Sequence, residues 1–306
     1  MIHTLLWIVA ALATAIIFTI ANIFDSHMLS KRMPSMASYV LPIGICQFLI
    51  GLVILLFFPF PHNAGFTHLL VAFGSGFANA FAIVILLTYL QKGEVSRVVP
   101  VVTSSPIFVA LLSMPLLGEL LGFWQWVAVL GTVAGAILVS LQRDGSANKT
   151  RLHKSFFVLL AAALMSAVSN IGYKYALAAL SYWNMMSVTG ICVVIVIMFF
   201  TLRRSTLVEI KNLDQRNQKM ALLVGNQLFA AIGSSLSFVA IANGPVALAT
   251  AIMNIRPAFI FLFSLALSRF YPNFINERFN KKTILAKFIG IALITGGVVI
   301  ISLSSK

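Results

Sequence analysis

A chain of 306 residues that is 60% hydrophobic and 9% charged, with a mean hydropathy of +1.01, is outside the range of a soluble globular domain. Its net charge of +14 would suggest nucleic acid in a soluble protein, but no basic run here carries interleaved aromatics, and nucleic acid is not an expected partner. Cys46 and Cys192 both fall inside apolar runs, where a thiol acts as a small hydrophobe, so neither a disulfide framework nor a metal site is indicated.

Ten apolar stretches follow one another. The first, Thr4 to Phe24, has no basic leader or small-x-small cleavage site and reads as retained. The others are Ala37 to Phe60, Thr67 to Leu90, Val95 to Leu117, Gly122 to Leu141, Ser155 to Leu180, Asn184 to Leu202, Met220 to Ala242, Val246 to Phe270 and Thr283 to Leu303. Twenty helical residues at about 1.5 Å each cross a hydrocarbon core of roughly 30 Å, and in lipid a helix satisfies its own backbone. The polar stretches Gln142 to Lys154 and Arg203 to Lys219 are too short for a core of their own and read as loops.

Numbering the loops alternately puts eighteen Lys and Arg, from Lys31 and Arg32 to Lys282 and Lys287, on one side, and only Lys306 on the other. Positive residues in short loops stay cytoplasmic, so both termini are expected outside.

The chain also repeats itself. Gly93-Glu94-Val95 and Ser104-Ser105-Pro106-Ile107-Phe108 recur 151 residues later as Gly244-Pro245-Val246 and Ile255-Arg256-Pro257-Ala258-Phe259. Past a short insertion, Glu119 and Gly135 to Leu141 have counterparts in Glu277 and Gly297 to Leu303. Five spans plus five spans is a duplication, and because five is odd the second copy enters from the opposite face. The expected fold is therefore all-α and integral to the membrane, ten transmembrane helices in two five-helix inverted repeats. The first repeat covers residues 1–142, a cytoplasmic linker 143–154, and the second repeat 155–306.

Two five-helix halves, each with a Pro in its fourth span (Pro106, Pro257), a Glu after it (Glu119, Glu277) and a Gly-containing fifth span, resemble the EamA-type members of the drug/metabolite transporter superfamily. The resemblance implies transport of a small metabolite through a central cavity lined by spans 1, 3, 4, 6, 8 and 9. It also implies cytoplasmic termini, opposite to the loop charges.

The seven acids all fall at span ends or in loops, which speaks against proton antiport built on a buried carboxylate. Two cations lie within spans. Arg256, near the middle of the ninth, reads either as a fork for a carboxylate or phosphate or as a structural arginine bonded to carbonyls freed by Pro257. Lys174, in the sixth, either joins that site or snorkels to the interface. Asn254 pairs by the repeat with Thr103, and Arg256 with Ser105; Asn79, Asn170, Tyr173 and Asn226 complete the candidate substrate-binding set, each amide alternatively a simple helix-to-helix bond.

The function expected is secondary transport of a small anionic or zwitterionic solute by alternating access, with no cofactor and no catalysis. Its partners are that solute and the lipid bilayer of a bacterial plasma or inner membrane, and the chain acts as monomer or homodimer. A flippase for a lipid-linked sugar phosphate fits the same cations. An integral-membrane lipid enzyme and a non-transporting membrane protein are the other classes.

Overall fold

The computed structural model describes residues 2–62, 64–91, 103–140, 152–270 and 281–304. Within them the regular elements are all helices: α1 (Ile2–Lys31), α2 (Met36–Phe57), α3 (Phe66–Gln91), α4 (Ser105–Leu117), α5 (Phe123–Ser140), α6 (Leu152–Ala176), α7 (Tyr182–Thr201), α8 (Arg204–Lys211), α9 (Arg216–Asn243), α10 (Val246–Met253), α11 (Arg256–Phe270) and α12 (Lys281–Ser304). Seven stretches are long and apolar enough to cross a membrane, and three shorter apolar helices, Ser105–Leu117, Phe123–Val139 and Phe288–Ser304, stand at the fourth, fifth and tenth expected spans. The repeat motif Gly93 to Val95, residues 143–151 of the linker, Glu277 and the chain end at 305–306 lie outside the described residues.

Four expectations about element limits change. The ninth span is two helices, because Pro257 has no N–H to continue the ladder and the chain turns at Asn254 and Ile255 before α11 begins. The loop Arg203 to Lys219 contains the helix α8, and Leu152, His153 and Lys154, assigned to the linker, open α6. The first helix runs past Phe24 to Lys31, which carries Asp25 into its apolar stretch Leu6–Leu29. Local signals explain several ends. Ser35 and Ser181 each accept the backbone N–H three residues on, from Ser38 and Asn184, as N-caps do.

The helices pack mainly across the two halves of the chain: α1 on α9, α2 on α7, α3 on α6, α4 on α10 and α5 on α12. Exchanging α1, α2, α3 and α5 for α6, α7, α9 and α12 maps the first three of these contacts and the last onto one another. The α5–α12 contact brings backbones together, since a Cβ at Gly135 would stand 2.5 Å from the Gly290 carbonyl oxygen, and one at Gly290 would stand 2.7 Å from that of Gly135. With little hydrophobic drive between helices in lipid, close approach through small residues supplies van der Waals contact instead. Around these seams a large buried cluster forms from Trp7, Met185, Leu248, Ile252 and their neighbours, and a second from Met28, Leu41, Ile197 and Leu223.

Candidate functional site

The break between α10 and α11 sets the position of Arg256. Pro257 leaves the Met253 carbonyl without its helical donor, and the Arg256 Nε–H takes that place at 3.2 Å. The guanidinium lies over the Phe18 ring of α1, 4.4 Å from its centroid, a cation–π contact. Arg256 makes no ion pair among the described residues. One N–H is thus bonded to a carbonyl freed by Pro257, as the structural reading expects, and the four on the terminal nitrogens have no partner among the described residues. Asn254 turns back on its own helix, its amide donating to the Thr250 carbonyl at 2.8 Å. In the first half Thr103 and Ser105 are buried at the start of α4, where Ser105 and Pro106 open the helix as Arg256 and Pro257 open α11. Since α4 packs on α10, and α1 on both α10 and α11, the two breaks share one neighbourhood.

A second set lies along the contact of α3 with α6. Asn79 and Asn170 are partly buried, and neither has a hydrogen-bond partner among the described residues. Tyr173 is buried against Phe238, ring centroids 5.3 Å apart, and its hydroxyl, like that of Ser169 one turn earlier, has no partner among the described residues. Because α6 also touches α4, this set adjoins the first.

Lys174 and Asn226 are drawn elsewhere. Lys174, expected either to join the Arg256 site or to snorkel, has an acid beside it instead: its ammonium stands 4.0 Å from the Glu119 carboxylate and donates to the carbonyls of Ala242 and Gly244 at 2.9 and 2.8 Å. Glu119 reaches this place because Gly118, left-handed at φ 69°, ends α4 and turns the chain. Its other oxygen accepts the Val246 N–H at 2.9 Å, capping α10, whose preceding Pro245 supplies no side-chain cap. Burial pushes the Glu119 carboxyl above its ordinary value, against the pull of the Val246 N–H and the Lys174 ammonium.

Asp25, expected at the end of the first span, lies four residues inside the end of the apolar stretch Leu6–Leu29. Asp25 accepts hydrogen bonds from the Tyr39 hydroxyl of α2 and, at 2.6 Å, from the Asn226 amide of α9. Asn226 is therefore part of a three-helix polar contact, and the adjacent Gln227 accepts from Gln47 of α2 at 3.3 Å. The sequence singles out neither Phe18 nor Tyr39, and it marks Glu119 for the repeat alone.

A helical, multi-pass membrane protein with a polar break at the junction of its halves is the class that these observations define. Residues 5–141 match the model of the EamA-like transporter family. The family is one of membrane transporters of small solutes. A solved crystal structure of another protein superposes with a TM-score of 0.67 at 17% identity, over 99% of this chain and 97% of its own, which shows a shared fold. No curated protein matches the chain.

Proposed function

We propose that the chain is a secondary transporter that carries a small anionic or zwitterionic metabolite across a bacterial plasma or inner membrane by alternating access between its two halves, residues 1–142 and 155–306. Arg256 carries this reading. A guanidinium held inside the bundle by one carbonyl and one aromatic face, with no described acid against it, keeps its forked donors for a carboxylate or phosphate. A charge at such depth costs about 2.5–3.5 kcal/mol on insertion scales, a cost that a ligand or a wet cavity offsets. Lys174 no longer contributes, because Glu119 and two carbonyls occupy it.

The test is uptake of labelled metabolites by the purified chain in proteoliposomes, alongside binding in detergent. Arg256→Lys keeps the charge and loses the fork, so solute affinity falls. Arg256→Ala abolishes binding and also lowers stability by about 1 kcal/mol as the Met253 carbonyl loses its donor. An Arg256→Ala protein that binds an anionic solute as wild type does would exclude the anion site.

A further inference from the structure

The segment between α7 and α9 plays no part in the transport reading, yet its helix has a definite orientation. In α8, Arg204, Leu207, Val208 and Lys211 recur at intervals of three, four and seven residues and therefore share one face. All four are exposed, Leu207 and Val208 at 50% and 49%. The opposite face is fastened to the bundle: Thr206 is buried, Ile210 packs on the cluster around Met28 and Leu223, and the Glu209 carboxylate accepts the hydroxyl proton of Ser35 at the start of α2. With those attachments α8 cannot roll to hide its two aliphatic side chains. An aliphatic pair bracketed by cations stays outward.

The level of the helix is equally defined. The α7 helix ends at Thr201 with Phe199, Phe200 and Leu202 at its tip, 83%, 44% and 46% exposed, and Arg203 follows at once. So α8 starts where the apolar surface of a spanning helix stops, the depth at which acyl chains give way to headgroups. Arg203, Arg204, Lys211, Arg216 and Lys219 gather here against two acids, Glu209, already bonded to Ser35, and Asp214. Beside α8 an open depression of about 540 Å³ has Arg32 and Lys219 on its walls together with Glu209 and Asp214.

We propose that α8 is an interfacial anchor that binds anionic phospholipid headgroups: Leu207 and Val208 enter the acyl boundary while Arg203, Arg204 and Lys211 engage lipid phosphates. Charge complementarity selects this occupant. A second copy offering the same face would set cations against cations, whereas an anionic leaflet meets both the aliphatic pair and its flanking charges.

The full-length protein in detergent tests this with dioleoylphosphatidylglycerol or dioleoylphosphatidylcholine added to the micelles, thermal melting and native mass spectrometry reporting bound lipid. Phosphatidylglycerol should raise the melting temperature and phosphatidylcholine should not. Replacing Arg203, Arg204 and Lys211 by Gln should weaken the phosphatidylglycerol response about fivefold for each charge removed. The exposed pair tests insertion without altering charge: Leu207→Ser with Val208→Ser should weaken lipid retention while circular dichroism stays native. Raising salt from 0.1 to 1 M, which cuts the screening length from about 10 to 3 Å, should diminish the wild-type response with no mutation at all. Equal responses to the two lipids, or a wild-type response indifferent to salt, overturn the proposal. So does full lipid retention by the serine pair, and so does an equal effect of inorganic phosphate, which would mean a free-anion site. An acidic soluble protein that displaced the lipid more tightly than vesicles bind it would do the same. None of these readouts depends on Arg256 or on transport.

Discussion

Glu119 and Lys174, 55 residues apart in the chain and 4.0 Å apart in space, hold one turn from opposite ends. The carboxylate takes the first N–H of α10, and the ammonium takes carbonyls at the end of α9. Each charge therefore sits at the helix end whose dipole favours it. The turn between them lies over Trp7 of α1, so near that a Cβ at Gly244 would stand 2.4 Å from its ring.

If this contact is structural, removing either partner should cost stability and leave solute affinity alone. Both side chains are about one-fifth exposed, so Lys174→Met should destabilise by about 1–3 kcal/mol, below the range for fully buried pairs. In a thermal-denaturation cycle, Glu119→Gln with Lys174→Met should cost less than the sum of the two. Additive losses would show that the groups do not interact. A Lys174→Met protein of native stability that no longer binds solute would return Lys174 to the substrate site.

The pH dependence of stability has a definite sign. Burial favours the protonated Glu119 in the folded chain, so its folded value lies above the ordinary 4.5. The native state then holds the proton more tightly than the unfolded state, and this contribution is complete below 4.5 and lost as pH rises through the folded value. Urea midpoints in that window should fall with rising pH in wild type, with a shallower slope in Glu119→Gln. Identical slopes would remove Glu119 as the cause.

Asp25, near the end of the first apolar stretch, ties three helices together. Here one carboxylate oxygen receives donors from α2 and α9. Asp25→Asn replaces a charged acceptor by a neutral amide and should destabilise by about 1–3 kcal/mol, Tyr39→Phe by less. Melting temperatures of the two variants in one detergent decide this, and an Asp25→Asn protein as stable as wild type would contradict it.

Loop charge forecasts the orientation. Cysteines placed at Asn63 and Ser305 should react with an impermeant thiol reagent outside intact cells, and one at Ser146 should not. Labelling at Ser146 alone would reverse the assignment and restore the orientation that the family resemblance implies.

The spans can be read from sequence because a bilayer demands a minimum apolar length, a property of consecutive residues. Pro257 also announces a disturbance in the ninth span, although not that Arg256 Nε replaces the donor that proline lacks. Partnerships are less accessible. Glu119 and Lys174 meet only through the packing of α4 on α6 and α10, and nothing in the sequence distinguishes Phe18 from the other 24 of the 25 phenylalanines. Asp25 reads as lying outside the membrane because the apolar run weakens after Phe24, but the backbone of α1 stays helical for seven residues more, to Lys31.

All five helices of the first half, α1 to α5, find their principal neighbours in the second half. The two halves are thus joined the way subunits are joined, by contacts that neither possesses alone. Cutting the chain between residues 141 and 151 would leave fragments that must reassociate in the bilayer, or pair with copies of themselves, to cover the faces now turned inward. Joining the halves in one chain turns that bimolecular encounter into an intramolecular one, while each half keeps its own residue ahead of the helix-opening proline, Arg256 in α11 and Ser105 in α4.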